Sequence, residues 1–197
     1  MKTGGGGEKM RDRVYAVLIG LLSLGVWGLG CSLHKALALS VEEAYQAIPH
    51  RRTVFLVGEA RMPEKQKQYL NEFLHLVDLA MVDRVQMLQW LTSNGQIVKP
   101  AENYDEILQQ IGALDTPPSL MTMQQLVVEA VKEQRAFLES WGKTERKHFD
   151  GWRDQPEVRD ASRKLIEAYQ ILMSTYPAEN DHNKQAFFDY LCALDFL

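Results

Sequence analysis

Apolar residues recur along most of the chain in steps of three and four, the spacing that lines one face of an α-helix. The longest series is Leu70, Phe73, Leu74, Val77, Met81, Val85, Leu88 and Leu91. Pro63 suits the first turn of that helix, and Asn94-Gly95 supplies a stop. Asn103 with Glu106 caps a shorter helix carrying Tyr104, Ile107, Leu108, Ile111 and Leu114. Thr116-Pro117-Pro118-Ser119 breaks the pattern, with Ser119 as the next N-cap. Leu126, Val127, Ala130, Val131, Phe137, Leu138 and Trp141 follow, and Gly142 interrupts or ends the series.

Asp154 and Glu157, around Pro156, open a further helix with Val158, Ala161, Leu165, Ala168, Tyr169, Leu172 and Tyr176 inward. Pro177 closes it, and a last helix runs from about Asn183 with Phe187, Phe188, Leu191 and Leu194 inward. Upstream, Ser40-Val41-Glu42-Glu43 is a capping box that predicts a short helix to about Ala47, ahead of Pro49. The β-branched and aromatic run from His50 to Gly58 has strand character but no second strand to pair with. It predicts an extended segment lying on helices. The fold class expected is all-α, an antiparallel bundle of about four main helices with short extra ones, preceded by an apolar N-terminal segment.

That segment, Val14 to Leu33, is a run of 20 residues without a charge, and Arg11 and Arg13 stand just before it. The basic flank orients it with the N-terminus inside, and a run of this length can span a bilayer. Ala36-Leu37-Ala38 satisfies the small-x-small rule for cleavage after Ala38. Gly28-Leu29-Gly30-Cys31 resembles a bacterial lipobox, with Gly28 where Leu is usual, and makes Cys31 the lipidation candidate. Retention as an anchor needs only the length. Residues 1–39 are thus read as a signal peptide or membrane anchor, with Met10 as well as Met1 able to start it. Residues 40–197 are read as the exported domain, periplasmic or anchored to the inner membrane and facing the periplasm.

Charge divides along the same line. Of 22 basic and 26 acidic residues, five and two lie before residue 40, so 40–197 carries 17 against 24, a net of −7. An acidic domain repels phosphate backbones, which argues against nucleic acid. Gly4–Gly7 follows no strand pattern and opens no helix, so it is not a phosphate loop. Two cysteines, Cys31 and Cys192, do not make a disulfide scaffold.

Candidate chemistry is sparse. Three of the five histidines follow a Glu by three residues: Glu72/His75, Glu145/His148 and Glu179/His182. That spacing shares a helix face, and two such pairs can help build a metal site inside a bundle. Helical phase opposes this reading, because Glu72 and His75 fall on the far side of their own stripe. Glu145 and His148 remain the other metal candidates. His50-Arg51-Arg52, with Arg61 nearby, is the densest basic patch of the acidic domain and suits a carboxylate or phosphate. Surface charge pairing is the plain alternative. Trp90, Trp141 and Trp152 sit near helix ends, where they cap a core or line a cleft. Cys192 has no histidine within reach along its helix and packs as a small apolar residue. The expectation is a non-catalytic domain without a cofactor that binds a protein partner or supports an envelope complex. A ligand- or metal-binding bundle is the alternative.

Overall fold

The structure, a computed structural model, describes residues 39–93, 103–144 and 155–195. Residues 1–38 lie outside this description, and with them Cys31, the cleavage position and the choice of start. So do Glu145, His148 and Trp152.

Among the described residues every regular element is helical: α1 (Val41–Gln46), α2 (Glu64–Thr92), α3 (Tyr104–Ala113), α4 (Met121–Trp141), α5 (Pro156–Thr175) and α6 (Asp181–Asp195). No helix among them is long and apolar enough to cross a membrane. The capping box forms as the local sequence dictates. Ser40 Oγ accepts from the Glu43 amide at 3.2 Å, and Glu43 Oε2 accepts from the Ser40 amide at 2.8 Å. Residues 50–56 are extended without strand pairing, and a single 3₁₀ turn follows at Val57–Glu59. Pro63 then precedes the first turn of α2.

Three helix starts differ from expectation, two because a tertiary partner or a neighbouring turn takes the capping group and one because a cap lies further upstream. Asn103 stands ahead of α3, but its side chain caps nothing there. Its amide donates to Asp83 Oδ2 at 3.1 Å, tying the start of α3 to α2. Ser119 lies inside a 3₁₀ turn, Pro118–Leu120, that leads straight into α4. Gln124 fastens this corner by accepting from Thr116 Oγ1 at 2.6 Å and donating to the Ile111 carbonyl. The last helix begins two residues before Asn183, because Asn180 Oδ1 accepts the Asn183 amide at 2.8 Å and acts as its cap.

One core gathers Tyr45 from α1, Phe55 from the extended segment, Leu70 to Val85 of α2, and the inward residues of α3 to α6. Phe187 is wholly buried and stacks on Phe55 at 5.7 Å. Phe188, expected inward, is 42% exposed, because the helix turns it about 100° from Phe187. A smaller cluster of Met87, Phe137, Leu138 and Val158 is covered by Trp90 and Trp141, so these two indoles cap a core. Gly142 ends α4 where a Cβ would come within 2.8 Å of Leu91 Cδ2. Its lack of a side chain lets the ends of α4 and α2 approach.

Candidate functional site

Among the described residues, the buried acidic and basic groups lie on α2, on α6 and in the turn before α6, and most of them hold residues 39–61. On α2, Asp78 is 1% exposed. Arg52 from the extended segment donates to its Oδ2 at 2.6 Å, and Tyr45 of α1 donates to Oδ1 at 3.1 Å. The other end of the guanidinium reaches Glu42 at 2.8 Å, and its carbon lies 5.7 Å from the Tyr45 ring centre. Burial raises the Asp78 carboxyl above the usual range, and the adjacent Arg52 cation opposes that rise. Burial pulls Arg52 down, but Asp78 outweighs it and the guanidinium is held more firmly charged.

On α6, Asp189 is fully buried although it lies about 200° round the helix from Phe187. The extended segment covers it there. Thr53 Oγ1 donates to Asp189 Oδ2, Gln185 to Oδ1 at 2.7 Å, and Arg51 Nε stands 3.5 Å from Oδ2. His50 Nε2 lies 3.1 Å from the Asp189 carbonyl.

Further along, α6 and the turn before it hold the backbone of the segment. Asn183 accepts from the Leu56 amide at 2.9 Å and donates to the Leu56 carbonyl at 3.2 Å. A ring nitrogen of His182 meets the Val54 carbonyl at 2.9 Å. Glu179, 3% exposed, accepts the Arg61 amide at 2.8 Å and both donors of Asn180.

The four members of the basic patch therefore do not converge on one pocket. His50 and Arg51 meet Asp189, Arg52 meets Asp78 and Glu42, and Arg61 meets Glu179 and the Ala178 carbonyl. His50 and Arg52 are turned to internal acceptors, whereas the Arg51 side chain is 70% exposed and Arg61, which meets Glu179 through its backbone amide, also stands at the surface. Glu72 and His75 both stand exposed on α2. No group of three or more His, Cys, Asp or Glu suited to a metal ion occurs among the described residues. Glu179 and His182 separate in function, since one is a buried acceptor and the other binds a carbonyl at the surface.

A second buried charge lies deeper. Arg84 of α2 is wholly enclosed, and its two Nη atoms donate to the Leu194 and Ala193 carbonyls at the end of α6. Gln134 of α4 adds a bond to Leu194 at 2.8 Å. Burial pulls Arg84 down to about 10, which leaves it charged at neutral pH. A cation at a helix C-terminus meets the negative end of the helix dipole.

Three concavities stand out among the described residues. Two, of about 470 and 400 Å³, lie at the C-terminal part of α4 beside Trp90 and Trp141. The third is a shallow apolar groove between α5 and α6, lined by Leu165, Ile166, Tyr169, Phe188, Leu191 and Cys192. Ile166 is 55% exposed there, and Tyr169 meets Phe188 edge-on at 5.7 Å. Burial, with Asp195 and Asp189 nearby, pushes the Cys192 thiol up, which keeps it protonated at neutral pH.

Sequence reasoning missed Asp78, Arg84 and Asp189, and singled out Glu179 only as a partner of His182. For the two on α2 a signal exists. At 100° per residue, Arg84 falls about 40° from Leu70, inside the apolar stripe, and Asp78 about 80°, at its edge. Compared with family profiles, with characterised protein sequences and with solved structures, the chain matches none.

Proposed function

We propose that residues 40–197 form a non-catalytic antiparallel helical bundle that stands outside the inner membrane, as part of an envelope complex, and works by holding a protein partner. The observation that carries this reading is the apolar seam between α5 and α6. Ile166 and Phe188 stay in water on adjacent helices, with Tyr169 between them. Neighbouring large apolar side chains left exposed mark contact faces on soluble domains. Asp195 and the charged residues Arg163 and Glu167 stand beside the seam in sequence and supply a polar rim.

The test is a photo-reactive residue at position 166 of the whole protein, in its own cells. The reading expects one protein adduct, lost in Phe188→Asp, while the circular dichroism and melting temperature of that variant hold. An absent adduct, or one indifferent to Phe188→Asp, contradicts it. So does a stoichiometric metal or absorbing cofactor in the gently purified protein.

A further inference from the structure

We propose that residues 39–61 form an exchangeable arm, and that the arm of a second copy seats on α2 and α6 in place of the chain's own. The proposal goes beyond the partner-holding reading and does not depend on it.

The arm joins the helical body through one link, the bend at Met62-Pro63 ahead of α2. Among the described residues, every backbone–backbone hydrogen bond within 40–62 is local, such as Ala44 to Ser40 and Ala60 to Val57. The polar bonds from arm to body instead run through side chains. Asp78 takes Arg52 and Tyr45, Asp189 takes Thr53, Asn183 grips both backbone groups of Leu56, and Glu179 takes the Arg61 amide. Phe55 is the apolar anchor, stacked on Phe187.

The body is therefore a built receptor for an extended segment of defined chemistry. It accepts a cation, a hydroxyl, an aromatic ring and then a free amide pair, in that order along the chain. The structure shows which sequence fits it, and a second copy carries that sequence. Exchange remakes the same contacts between two chains, and only the Met62-Pro63 link changes course. Swapping of an element across such a hinge is a low-cost route to a twofold dimer. The balance between closed monomer and exchanged dimer then follows concentration, against a tethered arm whose effective concentration is on the order of millimolar.

The Arg52–Asp78 pair provides the test, because it joins arm to body and can be reversed. Full-length chains carrying Arg52→Asp and Asp78→Arg are refolded together, with one isotopically labelled, and examined by native mass spectrometry. Each variant is mismatched with itself, whereas an exchanged pair is matched at both arms. The mixed dimer is expected to exceed either homodimer by more than about tenfold, since juxtaposed like charges cost several kcal/mol. The doubly reversed chain, matched in itself, serves as the control for folding. A folded, monomeric control together with no mixed dimer overturns the proposal. Should the control fail to fold, light and heavy wild-type chains are refolded together at about millimolar concentration. A light–heavy dimer that dissociates on dilution supports exchange, and monomer alone overturns it.

Discussion

Asp78 and Arg84 stand six residues apart on α2, both buried, and are neutralised in opposite ways. Asp78 faces the arm and meets a full counter-charge, Arg52, whose far side reaches Glu42 at the surface. Arg84 faces the body and is met by backbone carbonyls, the Ala193 and Leu194 oxygens at the end of α6. The difference follows from what each charge joins. An ion pair between distant stretches of chain fixes where a separable segment sits, and its long arginine keeps contact with water. A helix end cannot move without taking its helix along, so its carbonyls are a fixed acceptor set for a cation that never reaches solvent.

The largest expected break in this contrast is at Arg84. Arg84→Ala leaves a void, takes the donor from the Ala193 carbonyl and leaves Leu194 only Gln134, at a cost of about 3 kcal/mol or more in denaturant unfolding. Arg84→Met keeps most of the volume and discards the charge, and about 1–2 kcal/mol is expected. Equal losses for the two would mean that the cation and its hydrogen bonds, and not volume, hold the end of α6.

Asp78→Ala strands Arg52 on Glu42 alone and leaves the Tyr45 hydroxyl without its acceptor. Arg52 is partly open to solvent, so the loss is about 1–3 kcal/mol. Amide exchange should accelerate in residues 41–61 while α4 and α5 keep their protection. Acceleration throughout the molecule would show that the arm is not a separate unit.

Acid separates the same groups. Burial raises Asp78 and Asp83 above the ordinary carboxyl value of 3.8. Each therefore holds its proton more tightly folded than unfolded. Their contribution to stability is complete below 3.8 and is lost as pH rises through the raised folded values. Asp83→Asn should thus change stability little at neutral pH and flatten its pH dependence just above 3.8, as thermal melts across that range would show. A steeper dependence would contradict the assignment. Glu43 runs the other way. Its bonds with Ser40 lower it from 4.5, so the contribution of the capping box is present above 4.5 and fades as pH falls through the folded value. Ser40→Ala, the smallest effect, should cost about 1 kcal/mol.

Much of this architecture is legible in the sequence where the causes are local. The capping box, the stripe of α2, the stop at Pro177 and the unpaired extended segment each follow from residues a few positions apart. The caps at Asn103 and Ser119 misled because their polar groups go to a tertiary partner or fall inside another turn. Asp189 and Glu179 were not legible for a different reason. α6 is buried on two faces, one against the body and one under the arm, so its polar side reads as a solvated face. Nothing local says that residues 50–61 return to cover it.

The account rests most directly on the arm being one unit that opens apart from the body. Native-state hydrogen exchange of the Leu56 amide, held by Asn183, measures this. The account predicts that Leu56 opens with Ala44, Tyr45 and Ala60 at one shared free energy, well below that of Val127 and Ala130 in α4. A Leu56 amide that exchanges only with global unfolding, at the same free energy as Val127 and Ala130, would contradict it.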